Sequence, residues 1–160
     1  MPELRPWVTI SMYQRDSLLM IVPKSRVRIN GFATHEPITE LAWPVDDALR
    51  LGEAAFATFA KCRWEIQPDL VDLTETELPR RVGAKDWKQF AKGTKYVFAS
   101  KYIGEAEPIK VLSSQYVRGG GFHSTVDDEE VLEQPVTATC LGEAILRAFE
   151  RCTSSMDRRK

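Results

Sequence analysis

The sequence has little of what most active-site chemistry needs. Its two histidines, His35 and His123, stand far apart with no ligand-spaced cluster around them, which argues against a zinc site. Three cysteines, Cys62, Cys140 and Cys152, make an odd number with no Cys-x-x-Cys pair. The expectation is therefore reduced thiols in a cytoplasmic protein. No apolar run approaches the ~20 residues of a membrane span. The start, MPELRPWVTIS, lacks the basic-then-apolar order of a secretory signal. Neither sign of charge dominates: 22 Lys and Arg against 23 Asp and Glu leave a net charge of −1. Hence no overall field draws in nucleic acid or an anionic membrane, and neither is expected as a partner. No cofactor motif is present.

What is there is an ordinary globular composition, 43% hydrophobic and 28% charged over 160 residues, enough for one domain (1–160) with a proper core. The chain also resembles itself. VRINGFAT (27–34) aligns with VRGGGFHS (117–124), and LGEAAFATFAKC (51–62) with LGEAILRAFERC (141–152), both at an offset of 90 residues. Upstream, WVTISMY (7–13) resembles YVFASKY (96–102) at an offset of 89. Two blocks at one offset indicate two copies of one unit, about 7–63 and 96–153, with a connector over 64–95.

The repeat decides how the glycine triplet reads. Of Gly119, Gly120 and Gly121, only Gly121 has a glycine counterpart, Gly31. A phosphate cradle would run straight into a helix N-terminus, whereas here acidic residues follow. A turn or strand bulge with positive φ at Gly31 and Gly121 is expected instead, with His123 on the surface.

Within each unit, alternating and apolar stretches predict three strands: WVTISMYQ, SLLMIVP and RVRING in the first, and TKYVFASKY, EPIKVLS and QYVRG in the second. QRDS and IGEAE serve as hairpin connections. A helix closes each unit. Ala48, Leu51, Gly52, Ala55, Phe56, Phe59 and Cys62 fall on one helical face, and so do Ala138, Leu141, Gly142, Ile145, Leu146, Phe149 and Cys152. Asp47 and Thr137 stand at the N-cap positions. Gly52 and Gly142 interrupt the apolar stripe, at ~1 kcal/mol each in helix propensity, which implies a close approach at both. The connector carries a short helix in GAKDWKQFAKG, and the tail 154–160 is expected to be disordered. The fold class is thus α+β: two tandem β-β-β-α units with pseudo-twofold symmetry, helices packed on antiparallel sheet.

No catalytic constellation emerges. Cys62 and Cys152 lie on buried faces, and no Ser-His-Asp arrangement has motif support. The features left are two acidic segments. One contains Glu65, Asp69, Asp72, Glu75 and Glu77; the other, in a predicted loop before the last helix, contains Asp127, Asp128, Glu129, Glu130 and Glu133. Such runs serve solubility or dock a basic partner. Trp43, Trp64 and Phe122 are nearby apolar anchors. A rival reading is an enzyme or small-ligand binder that uses the cleft between the units, with Arg28, Arg118 and His123 as its polar groups.

LGEAILRAFERC with the acidic stretch before it, and GAKDWKQFAKGTKYVFASKY entering a strand, resemble the immunity proteins of bacterial contact-dependent growth inhibition systems. The resemblance covers the C-terminal half well and the N-terminal half loosely. It implies a small cytoplasmic, non-enzymatic protein that binds and blocks a cognate toxin domain, often a nuclease. It carries over no catalytic residues.

Overall fold

The computed structural model describes residues 5–74, 76–104, 106–117, 121–124 and 126–153. The chain is α+β, an antiparallel sheet with helices on both faces. The first unit holds β1 (Trp7–Arg15), β2 (Leu18–Arg28), β3 (Gly31–Thr34), β4 (Thr39–Ala42) and α1 (Ala48–Phe59). The connector holds α2 (Glu77–Arg81) and α3 (Trp87–Ala91). The second unit holds β5 (Lys95–Tyr102), β6 (Ile109–Ser113), β7 (Gln115–Val117), β8 (Gly121–His123), β9 (Glu129–Leu132) and α4 (Ala138–Arg151). The main sheet runs β3-β2-β1-β5-β6-β9, with β4 also paired to β2, and β7–β8 form a separate hairpin.

Side-chain alternation along the strands makes two unlike faces. Val8, Ile10, Met12, Leu19, Ile21, Val97, Ala99, Ile109 and Val111 point to one face, where they form the main core with α1 and α4. Tyr13, Met20 and Val22 point to the other, where Leu78 of α2 and Phe90 of α3 cover them in a smaller core. The expected helical stripes are the buried ones: Leu51, Gly52, Ala55 and Phe59 in α1, and Leu141, Gly142, Ile145 and Phe149 in α4. Both expected caps form, with the Asp47 carboxylate accepting from the Arg50 N–H and the Thr137 hydroxyl from the Cys140 N–H.

The glycines in those stripes meet reciprocally. A Cβ on Gly52 would lie 1.6 Å from the Ala138 carbonyl oxygen, and one on Gly142 would lie 1.8 Å from that of Ala48. Only a hydrogen fits between each Cα and the facing carbonyl, a Cα–H···O approach of the kind found where helices pack closely. In the sheet, β1 and β5 pair about a centre at Ile10–Ala99, with Trp7 opposite Tyr102 and Tyr13 opposite Tyr96. The β7–β8 register, Tyr116 with Phe122 and Gln115 with His123, repeats that of Arg26 with Phe32 and Ser25 with Ala33 at the offset of 90. These pairings are compatible with a twofold relation between the units.

Several local expectations need correction. RVR is not a separate strand but the end of the long β2, which carries Pro23 in its middle. The Pro23 carbonyl accepts from the His35 N–H, so its missing donor faces the same side, in the gap between β3 and β4 where no ladder bond is needed. The units also hold more strands than three: β4 was not foreseen, and residues 129–132, expected in a loop, form the strand β9 beside β6. Gly121 has φ +78°, as a turn glycine should; Gly31 has no positive φ, and its lack of a side chain instead makes room for that of Arg28. The register of this hairpin shifts between Arg26 and Arg28, on β2, and not at Gly31, where a turn or bulge was expected. The tail 154–160, Arg118, Gly119, Gly120 and Glu75 lie outside the described residues.

Candidate partner-binding surfaces and a sheet-face cavity

The two acidic segments do not form one patch. The first follows the end of β2 and then β3: Gln67 N–H donates to the Arg26 carbonyl and Leu73 N–H to that of Thr34. The second builds β9, at the other end of the strand order. Four inter-strand spacings separate β2 from β9, about 19 Å.

Within each segment the carboxylates differ in how committed they are. Glu65, Asp69, Asp127 and Glu133 are exposed, and none has an ion-pair partner among the described residues. Asp72 accepts from the Thr34 hydroxyl at 2.7 Å and the Thr74 N–H at 3.0 Å. Partial burial alone would raise its pKa, but these hydrogen bonds outweigh that and hold it lowered. Glu77 pairs with Arg80 and Arg81 inside α2. Glu129 lies 4.0 Å from Lys110, and Asp128 accepts from the Gln115 side chain. Glu130 receives a two-pronged contact from Arg147 of α4, at 2.6 and 3.1 Å, with Arg151 at 3.7 Å. The hydrogen bond from Arg147 is the main reason that its carboxyl titrates below the usual range. It therefore tethers the edge strand to a core helix.

The proposed apolar anchors are also engaged. Trp43 packs edge-on against Phe149, 5.1 Å between ring centroids. Trp64 leans on Trp7 and Phe32, with the Arg26 guanidinium 4.4 Å from its ring centroid. Phe122 lies against Tyr96, Trp87 and Tyr116.

The thiols and histidines have structural surroundings. Cys62 donates to the Thr9 carbonyl at 3.2 Å, and Cys152 to that of Tyr96 at 3.3 Å. Burial pushes the Cys62 pKa up to about 11 and raises that of Cys152, the reverse of what a nucleophile needs. No motif pointed to a meeting of Ser25 and His35, yet Ser25 Oγ lies 2.5 Å from His35 Nε2, and His35 Nδ1 lies 2.6 Å from the Glu36 carbonyl. Nδ1–H therefore donates to that carbonyl, which leaves Nε2 to accept from the Ser25 hydroxyl. The same hydroxyl accepts the Arg63 N–H at 2.8 Å, and Ser25 is 1% exposed. The pair joins β2 to the exit of α1.

On the sheet face away from α1 and α4 lies a cavity of about 690 Å³. Alternation explains it. On this face β1 presents Trp7, Thr9 and Ser11 opposite Tyr102, Ser100 and Phe98 of β5. The small Thr9 and Ser100 leave a hollow between large rings, and Phe32 of β3 and Tyr96 add to the walls. Arg5, Lys24, Lys101 and Lys110 line it, against one carboxylate, Glu107, which pairs with Arg5. Of the polar groups proposed for a cleft between the units, Arg28 and His123 are exposed and do not line this cavity. The sequence signal that would have found it is parity: Trp7, Thr9 and Ser11 share one side of their strand, as do Phe98, Ser100 and Tyr102.

Among the described residues no group of His, Cys, Asp or Glu could hold a metal ion, and no helix is long and apolar enough to cross a membrane. No family profile and no curated protein matches the sequence. Solved structures do match. A protein of unknown function from Neisseria meningitidis is similar at 17% identity and a TM-score of 0.70, over 95% of this chain and 99% of that one. A chain of the CdiA-CT/CdiI toxin and immunity complex from Yersinia pseudotuberculosis is similar at 14% identity and a TM-score of 0.69, over 91% of this chain and 97% of that one. At such identities the likeness is one of fold: this chain has a fold found in a CdiA-CT/CdiI toxin and immunity complex.

Proposed function

We propose that this chain is a cytoplasmic immunity protein that binds and neutralises the toxin domain of a contact-dependent growth inhibition system, a nuclease by preference, and is not itself an enzyme. The supporting observation is the likeness over nearly the full chain to a component of a toxin–immunity complex. It agrees with the resemblance of the C-terminal half, which rests on other information.

The docking surface we favour is acidic, because a nuclease that grips phosphates presents cations for such a surface to cover. Glu65 and Asp69 are the available carboxylates of the first segment, and Asp127 and Glu133 those of the second. Glu130 is better left intact in any test because it holds α4.

The test is competition on a solid surface between the native host and a strain that lacks this protein. The mutant should be inhibited only in contact with its wild-type siblings, and restored by this chain supplied in the cytoplasm. Equal growth of the two strains in contact would end the reading. With the toxin in hand, Asp127→Asn with Glu133→Gln, or Glu65→Gln with Asp69→Asn, should slow association and flatten its salt dependence. Each exposed pair contributes only ~0.2–1 kcal/mol, so charges are changed together. Wild-type association rates for both double variants at low salt would move the interface elsewhere.

A further inference from the structure

We propose that the sheet-face cavity is a binding site for a small anion that carries a planar ring, of the nucleoside phosphate class. Its volume, about 690 Å³, lies in the range of small-molecule sites, roughly 300–1,000 Å³. Its walls are aromatic. Trp7 and Phe32 stand 4.6 Å apart by ring centroids on one side, and Tyr96 and Phe98 stack at 5.6 Å on the other. Such walls take a flat ring by stacking whichever base it is.

The charge lining the cavity points to the other half of the ligand. Arg5 is paired with Glu107 and lies over the Tyr102 ring, 4.3 Å from its centroid, so it is already used. Lys110 has Glu129 no closer than 4.0 Å. Lys24, opposite Thr9, has no ion-pair partner among the described residues, whereas Lys101, opposite Val8, follows the parity of the other face. One unpaired ammonium group and a loosely paired second around one hollow call for more than one negative charge. A phosphate monoester supplies about −1.5 to −2 near neutral pH, against −1 for a carboxylate. On the floor, the Thr9 and Ser100 hydroxyls are suited to the polar edge of a sugar or base.

The test uses the full chain alone, with no toxin present. Titration at low salt with a nucleoside 5′-monophosphate, followed by calorimetry and by tryptophan fluorescence, should give saturable one-to-one binding that weakens as salt is raised. The nucleoside alone and inorganic phosphate alone should each bind at least tenfold more weakly, because each keeps half of the recognition. Lys24→Gln with Lys110→Gln should weaken binding tenfold or more, and so should Phe98→Ala, with melting curves run on each to confirm folding. His123→Ala, outside the cavity, should bind as the parent does. Absence of saturation at millimolar nucleotide overturns the proposal. Equal binding of an aromatic carboxylate overturns the phosphate assignment, and binding indifferent to the lysine pair overturns the placement of the site.

Discussion

Replacing Gly52 by alanine sets two effects of opposite sign against each other. Inside a helix that accepts the extra methyl, the change stabilises by about 0.8–1.0 kcal/mol through propensity alone. Here the new Cβ would lie 1.6 Å from the Ala138 carbonyl oxygen, where ordinary contact begins at 3.4 Å. The obstacle is helix backbone, which cannot swing aside as a side chain can, so α4 must recede by the difference, about 1.8 Å. A gap of even ~0.5–1 Å forfeits a quarter to a half of the dispersion energy of the contacts that it opens. Those contacts belong to Leu51, Ala55, Leu141 and Ile145, all fully buried. Overpacking of this kind costs ~1–3 kcal/mol. With backbone as the obstacle, we expect Gly52→Ala near the upper end, about 2–3 kcal/mol. That is a fall in Tm of roughly 4–12 °C for a chain of this size. Gly142→Ala should match it, and leucine at either position should be worse. The double variant should lose less than the two single losses added together, because either change alone already separates the same two helices. Thermal and urea melts decide the matter. A raised Tm would show that propensity wins and that the two helices do not meet through these glycines.

Other expectations are smaller. Glu130→Gln should destabilise by ~0.2–1 kcal/mol at neutral pH, since its arginine partners are largely solvated. Because the folded carboxyl titrates below its ordinary value, its contribution is complete above the ordinary glutamate pKa of about 4.3 and fades as pH falls through the lowered one. Urea melts of variant and parent should therefore draw together as pH is lowered below about 4.3; a constant difference would refute the ionic origin. Of the three cysteines, only the exposed Cys140 should react with a thiol reagent in the folded protein, with Cys62 and Cys152 following on denaturation. Rapid native labelling of more than one thiol would contradict the burial described.

The internal repeat carried most of the fold that could be read in advance. A capping residue and a helical stripe need only the local pattern, and that pattern occurred twice, so Asp47, Thr137 and both buried faces were readable from residue type and spacing. Strands were harder. Residues 129–132 read EEVL, and their charge looked like loop; among the described residues they pair with β6 alone, so much of the strand can stay polar. Pro23 seemed to close a strand because its place in the gap between β3 and β4 is a tertiary fact. The candidate surfaces were legible as composition but not as availability. Asp127 and Glu130 look alike in a run of acids, and only the distance to Arg147 tells the free one from the tethered one. The cavity depends on β1 lying beside β5 in a register that brings Thr9 to Ser100, and no single strand reveals its neighbour.

The charged edge strand bears on behaviour at high concentration. At the end of the sheet, β9 has no neighbouring strand on its outer side among the described residues, and its backbone donors and acceptors there invite a second molecule to extend the ladder. Glu129 and Glu130 stand on that strand, and Glu133 follows it. Their negative charge repels the same edge of another copy, a colloidal barrier to self-association. Neutral replacements at these positions should remove that barrier and favour sheet-to-sheet self-association in concentrated solution.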